Sequence, residues 1–182
     1  MTALDKALIV RAQLGSDDQA FGRLVAIYQG SVRGFLRRLT AGDEALADDL
    51  AQDTFLTAYK QMPKFRGDGS FQGWLMRIAY TSFLQHRRRP MNREIASDDK
   101  QLLQREEADT PPLHARLDVE QAMTQLSENE RACITLCYTY GMSHGEASET
   151  LDIPLGTVKS HILRGKEKLK QSLSSWQGEV IS

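Results

Sequence analysis

The amino-acid sequence predicts an all-α protein of two small helical domains joined by a flexible acidic linker. Three observations favour this fold class. Apolar residues recur at steps of three and four, strand-like alternation is nearly absent, and a polar stretch interrupts the helical pattern near the middle. The chain has 182 residues, which is enough for two small domains. The predicted boundaries are 1–92 for the first domain, 93–113 for the linker and 114–182 for the second domain.

Local signals mark where the predicted helices begin and end. Four serines are predicted N-caps: Ser16, Ser70, Ser127 and Ser143. All of them except Ser70 are followed three residues later by Glu or Gln, which is the capping-box pattern. Pro63 and Pro90 end helices in the first domain, because proline lacks the N–H that a helix interior needs. The glycine-containing stretch KFRGDGSF at 64–71 is a loop between two of these helices.

The charges are distributed in blocks, although the formal net charge is only −1. Basic residues dominate residues 60–93, whereas all charged residues within 41–59 are acidic. The predicted linker is polar and mostly acidic and has no sustained apolar period, as is typical of a flexible tether. Such blocks can present one face to nucleic acid and another to a different partner, and solvated helix faces are the alternative for each block.

Nothing in the sequence indicates catalysis, a cofactor or a metal. Cys133 and Cys137 lie four residues apart, and we interpret them as small core residues because no His or Cys cluster completes a metal-ligand set. No signal peptide opens the chain, and no apolar run approaches the roughly 20 residues that a membrane-spanning helix needs. We therefore predict a non-enzymatic, cytoplasmic protein with no membrane insertion.

The segment at 143–173 predicts a helix-turn-helix. A short helix from Ser143 is followed by the tripeptide DIP and by a longer helix with one apolar stripe. The outer side of the longer helix carries small and cationic residues, which suit close approach to base edges and phosphates in a major groove: Gly156, Thr157, Lys159, Ser160, His161, Arg164 and Lys168. An ordinary helical hairpin with a solvated basic face is the alternative.

Two stretches resemble a known family. MSHGEASETLDIPLGTVKSHILRGKEKL at 142–169 resembles region 4 of the extracytoplasmic-function (ECF, group IV) sigma factors of the sigma-70 family. AFGRLVAIYQGSVRGFLRRL at 20–39 and ADDLAQDTFLTAYKQMPKFRGDGSFQGWLMRIAYTSFLQHRRR at 47–89 resemble region 2 of the same family. The resemblance implies a dissociable subunit that directs RNA polymerase to promoters, with region 4 on the −35 duplex and region 2 melting the −10 element.

The resemblance also implies roles for particular residues. The loop residues Lys64, Phe65 and Arg66 are expected to capture an unstacked −10 base, and the following helix is expected to contact bases and backbone through Arg77, Tyr80, Thr81, Gln85, Arg87 and Arg88. We expect the rings of Phe65 and Tyr80 to reach DNA, and those of Phe71 and Trp74 to be core. Asp49, Gln52 and Asp53 are expected to dock on the coiled-coil of the largest polymerase subunit, and region 4 on the polymerase flap. An anti-sigma factor is the expected inhibitor.

Three other classes of protein compete with this interpretation. A helix-turn-helix transcriptional regulator of the response-regulator type, which is not a polymerase subunit, would need an α/β receiver domain, and the first half of the chain has no strand pattern. A helical enzyme would need a phosphate loop, a nucleophile elbow or a metal-ligand set, and the sequence has none of these motifs. A pure protein-interaction module remains the third alternative.

Overall fold

The computed structural model describes residues 3–14, 17–67, 69–88 and 113–179, and every regular element in these ranges is helical. The helices are α1 Ala3–Gln13, α2 Asp18–Leu39, α3 Glu44–Gln61, α4 Phe71–Arg88, α5 Leu113–Thr124, α6 Glu128–Ile134, α7 His144–Leu151 and α8 Leu155–Glu179. The predicted all-α fold class is confirmed, with α1 to α4 preceding the linker and α5 to α8 following it. The predicted linker lies almost entirely outside the described residues.

The N-caps show how directly the sequence specifies the helix starts. The capping boxes at Ser127 and Ser143 are both complete, with the serine hydroxyl and the glutamate three residues later satisfying each other's backbone N–H groups. The Ser70 hydroxyl accepts from the N–H of Gly73 at 3.0 Å. At α2 the cap is Asp17, whose carboxylate accepts from Ala20 at 2.9 Å, while the predicted cap Ser16 lies outside the described residues.

The second half of the chain departs from the predicted helix bounds in two places. The sequence predicts a short helix from Leu117 to Leu126, but helix α5 begins four residues earlier, at Leu113, and ends at Thr124. Helix α6 widens into a π-helical segment, Thr135–Thr139, in which the Tyr140 N–H reaches back five residues to the Thr135 carbonyl. A glycine directly after the helical pattern predicts a helix end at Gly141, and its left-handed backbone, with φ of 67°, does end this segment.

One hydrophobic core runs through both halves of the molecule. Phe35 on α2 is fully buried, and its ring meets the ring of Tyr140, which follows the π segment, edge to face at 6.4 Å. Helices α6 and α7 pack against α2 and α4, so the second domain lies directly on the first. Cys133 is fully buried here, as expected for a core residue, and burial raises the pKa of its thiol to about 12.

None of the described helices is long and apolar enough to cross a lipid bilayer.

Candidate nucleic-acid interface

The turn between α7 and α8 is fixed by its own hydrogen bonds. Asp152 ends α7 in the left-handed conformation, with φ of 55° and ψ of 46°, and its N–H donates to the Ser148 carbonyl. The Ser148 hydroxyl in turn donates to the carbonyl of Ile153 at 2.6 Å. Pro154 follows, and its carbonyl accepts from Thr157 and Val158 to start α8. These bonds set the angle at which α7 supports α8.

Helix α8 has an apolar face on one side and a face of small and cationic residues on the other. Of the predicted apolar stripe, Val158, Ile162 and Gly165 are buried against the supporting helices, whereas Leu155 and Leu173 at its two ends are exposed. The seven predicted −35 residues all lie on α8, with five of them exposed and Thr157 and His161 half-buried. Burial, together with the nearby Arg164 guanidinium, lowers the pKa of His161. The imidazole is therefore neutral at pH 7.

A buried carboxylate from α6 holds two of these cations. The Glu130 side chain is only 5% exposed, and it lies 2.8 Å from the Lys168 ammonium and 3.8 Å from the Arg164 guanidinium. Burial alone would raise the pKa of Glu130, but the hydrogen bonds from Lys168 and from the Ser127 N–H outweigh it and hold the pKa below its ordinary value. The sequence revealed Glu130 only as a capping residue, and nothing local indicated its contact with Lys168, 38 residues away.

The first domain presents a second cationic surface. Lys64 and Arg66 are exposed on the loop before α4, where Gly67 and Gly69 adopt left-handed conformations with φ of 76° and 86°. The exposed side of α4 carries predicted −10 residues at successive turns: Arg77, Thr81, Gln85 and Arg88, with Arg87 beside them. The Thr81 hydroxyl donates to the carbonyl of Arg77 at 2.8 Å, so it is engaged by its own helix.

Two predicted contacts need correction. The Phe65 ring was expected to face DNA, but it is 6% exposed and packs against Phe71 and Trp74 with centroids 5.4 and 5.0 Å apart. Tyr80 was also expected at the surface, and it is 4% exposed with its hydroxyl donating to Asn129 at 2.7 Å. Phe71 is core, as predicted, and Trp74 is half-buried. The loop position of Phe65 therefore does not expose its ring, because the ring packs against Phe71 and Trp74.

An open groove between α2 and α3 contains two of the predicted docking residues. Asp49 and Gln52 lie on its rim, whereas Asp53 is exposed on α3 outside its lining. The groove encloses about 630 Å³, and its apolar lining comes from α2 and α3: Phe21, Val25, Phe55, Leu56 and Tyr59. The apolar stripes of the two helices were visible in the sequence, but the gap that they leave between them was not.

Comparison with known proteins identifies the class to which this fold and these surfaces belong. The family model described as Sigma-70 region 2 matches residues 24–93, and the model described as Sigma-70 region 4 matches residues 116–169. An ECF RNA polymerase sigma-E factor of Haemophilus influenzae is 33% identical, with 93% of this chain and 95% of that protein covered.

Solved structures agree with this class. CnrH, in complex with the cytosolic domain of CnrY, superposes with a TM-score of 0.69 at 27% identity over 95% of this chain and 99% of that one. For the fold alone, the sigma factor RpoE of Bartonella quintana, bound to the anti-sigma factor NepR, gives a TM-score of 0.72 at 22% identity over 85% of this chain and 96% of that one.

The chain belongs to the ECF sigma factors of the sigma-70 family. It is a non-enzymatic transcription initiation factor, whose partners are core RNA polymerase and promoter DNA. From here on, region 2 denotes the matched part of the first domain and region 4 the second domain.

Proposed function

We propose that region 4 of this sigma factor reads the −35 element as duplex through the exposed face of α8. The observation that carries this proposal is the division of α8 into a buried apolar face and an outer face of small and cationic residues, directly after a hydrogen-bonded turn. Gly156 and Ser160 leave room for the helix backbone to approach base edges, and Lys159 and Arg164 supply charge for phosphate or guanine. Lys168, bonded to Glu130, contributes mainly to holding α8 in place.

Region 2 would then melt and hold the −10 element. Melting needs a site that accepts an unstacked base, and the exposed loop with Lys64, Arg66 and two left-handed glycines allows close approach of backbone to a nucleotide. The exposed stripe of α4 from Arg77 to Arg88 would follow the phosphate backbone. Since the Phe65 ring packs inside region 2, base capture would rely on the loop backbone and on Lys64 and Arg66.

The groove between α2 and α3 is the proposed docking surface for the coiled-coil of the largest polymerase subunit. An apolar floor with Asp49 and Gln52 on the rim suits a helix that brings apolar residues and complementary charge. Region 4 would bind the polymerase flap. Because promoters and polymerase share the bacterial cytoplasm, we propose that the chain acts there. We also propose control by an anti-sigma factor, since the similarly folded RpoE was solved with the anti-sigma factor NepR.

Transcription in vitro tests the proposal. Core polymerase with the purified chain should start transcripts on a genomic DNA library at sites that share two upstream motifs at a fixed spacing. Lys159→Ala should weaken the dependence on the upstream motif, whereas Lys64→Ala should leave closed-complex binding intact and slow strand opening. Start sites without a shared motif pair would refute promoter selection by two separate domains.

A further inference from the structure

Arg164 on the outer face of α8 is held from two sides. Its Nη2 lies 3.2 Å from Nδ1 of His161, which is one turn earlier on the same helix. Its Nε lies 3.8 Å from Oε1 of Glu130 on α6. The Arg164 side chain is 60% exposed, whereas the Glu130 side chain is only 5% exposed. The guanidinium is therefore open to solvent and at the same time paired with a buried carboxylate of a supporting helix.

Glu130 is fixed both in place and in charge. Its Oε2 accepts from the Lys168 ammonium at 2.8 Å and from the Ser127 N–H at 2.9 Å, so Oε1 is the oxygen that remains for Arg164. Burial raises the pKa of Glu130, but these bonds outweigh it and hold the pKa below its ordinary value. The carboxylate is therefore ionised at neutral pH, and it can keep the Arg164 guanidinium beside His161.

The bond between Arg164 and His161 determines which ring nitrogen carries the hydrogen. A guanidinium has N–H donors and no acceptor, so Nδ1 of His161 must accept. Burial and the Arg164 charge lower the pKa of His161, which keeps the ring neutral at pH 7. A neutral ring that accepts at Nδ1 carries its hydrogen on Nε2. Among the described residues Nε2 has no hydrogen-bond partner, and it is open to solvent, so its N–H is available to a bound molecule.

A neutral N–H donor on this face suits the selection of a base more than attraction to phosphate. The charge-driven part of DNA binding comes from lysine and arginine, and a neutral imidazole adds little to it. In the major groove, purine N7, guanine O6 and thymine O4 accept hydrogen bonds, whereas cytosine N4 donates one. A donor held in one tautomer therefore discriminates between the accepting edges and cytosine.

We propose that Glu130 is a positioning residue for reading the −35 element, which through Arg164 holds His161 in the tautomer that donates its Nε2–H to an acceptor on a base edge. We call these three residues the Glu130–Arg164–His161 relay. His161 is its specificity-determining residue and selects against cytosine at one position, whereas Glu130 acts only through Arg164. This inference rests on the proposed function, since it requires that α8 face the −35 duplex.

Long-range proton–nitrogen NMR spectra of the free chain test the relay without DNA. In wild type at neutral pH, His161 should be protonated on Nε2 and accept at Nδ1, and His161→Gln identifies its signals. Arg164→Met removes the donor, and Glu130→Gln removes the charge that holds the donor, so the share of ring protonated on Nδ1 should rise in both. Glu146→Gln, which changes the capping glutamate of α7, is the matched control and should leave the tautomer unchanged. The pKa of His161 should rise in Arg164→Met, because a repelling cation is lost while Glu130 remains.

Transcription by core polymerase from a promoter library with a randomised upstream element tests base selection. Glutamine places its amide nitrogen about where Nε2 lies, so His161→Gln should retain the preference against cytosine. Asparagine reaches only to about the place of Nδ1, so His161→Asn should lose about fivefold of that preference at one position, as expected for one neutral hydrogen bond. Glu130→Gln should lose part of the preference at the same position, and Glu146→Gln none of it.

A wild-type ring protonated on Nδ1, or a tautomer that neither Arg164→Met nor Glu130→Gln changes, would overturn the relay. Uniform weakening of all sequences by His161→Asn would mean a phosphate contact and would overturn base selection. If Glu130→Gln does not fold, Glu130→Asp keeps the charge but withdraws it from Arg164, and it must then raise the Nδ1-protonated share. The predicted tautomer changes in a chain that selects no two-motif promoter would support the relay and refute the proposed function. A two-motif promoter whose base preferences ignore both His161→Asn and Glu130→Gln would do the reverse.

Discussion

A β-carbon at Gly165 of α8 would lie only 2.4 Å from Cδ1 of Ile134 on α6, and 3.4 Å from its Cγ1. The two helices therefore meet at a contact that only glycine permits without movement. Ile134 is itself packed with Met123, Leu126 and Leu169, so its side chain has little room to rotate away. This contact sets the distance between α8 and α6, and therefore how far the proposed DNA-reading face projects from the domain.

Gly165→Ala should lower the free energy of unfolding by about 1–2 kcal/mol, because overpacking outweighs the roughly 1 kcal/mol gain in helix propensity. Ile134→Val removes the clashing Cδ1 atom and should restore most of this loss in the double variant. Urea unfolding of both single variants and the double variant measures the coupling. Gly22→Ala, at an α2 position with open space, should be neutral or stabilising. Strictly additive effects at Gly165 and Ile134 would contradict the steric explanation.

The elements that sequence alone predicted are those fixed by local chemistry. The capping boxes at Ser127 and Ser143 and the stop at Gly141 involve residues within a few positions of one another. The apolar stripe of α8 was equally visible, because a period of 3.6 residues is a property of one helix. What the sequence did not predict are contacts between distant residues, such as Glu130 with Lys168 and Tyr80 with Asn129. Residue spacing within one helix does not say which other helix will cover a given ring or charge.

A second prediction about stability concerns the Arg131 side chain. Replacing it by methionine keeps much of the apolar stem but removes the guanidinium donors to the Arg38 and Leu39 carbonyls at the end of α2 and to the Leu126 carbonyl after α5, each loss costing about 1–3 kcal/mol. We expect Arg131→Met to lower the free energy of unfolding by about 3 kcal/mol, measured by urea denaturation. Arg38→Ala is the control, since it retains the Arg38 carbonyl and removes only an exposed hydrogen bond to Thr139. Equal stability of the two variants would contradict the bridging role of Arg131.

The Glu130–Lys168 contact should make the stability of the protein depend on pH in the acidic range. The pKa of Glu130 is lower in the folded protein than its ordinary value of 4.5, so the unfolded chain binds more protons. The stabilisation is fully present above the unfolded pKa and is lost as pH falls through the folded pKa.

Glu130→Gln keeps a capping side chain and removes this charge. It should therefore be less stable than wild type at pH 7 by about 1–2 kcal/mol, with the difference shrinking below pH 4. Urea unfolding measured from pH 7 to pH 3 follows this difference. The same change at Glu146, an exposed capping residue, should cost less. A difference that stays constant down to pH 3 would contradict an ionic role for Glu130.

Two lysines on α8 should differ in what their loss affects. Lys159 is exposed, and no carboxylate of the described residues lies within ion-pair distance of it. Lys168, by contrast, is hydrogen-bonded to Glu130. Lys159→Ala should reduce the salt dependence of promoter binding by holoenzyme, with the slope of log K against log salt falling by about 0.9 for one lost phosphate contact. Lys168→Ala should change that slope less and lower the stability of the chain instead. Fluorescence anisotropy over a salt series, with Lys6→Ala on α1 as control, measures both slopes.

Leu56 offers the sharpest test of the groove between α2 and α3. Its side chain is 53% exposed in the free chain and lines the groove, so a polymerase helix docked there would bury it. Leu56→Gln should leave folding nearly unchanged and weaken binding to core polymerase by about 2 kcal/mol, roughly thirtyfold, if Leu56 is a central contact. Leu4→Gln, on α1 and 60% exposed, replaces a leucine of similar exposure outside the groove and should bind like wild type. Competition for core polymerase measures both affinities. Equal affinities would move the docking surface away from this groove, because an apolar contact buried at its centre must contribute to binding.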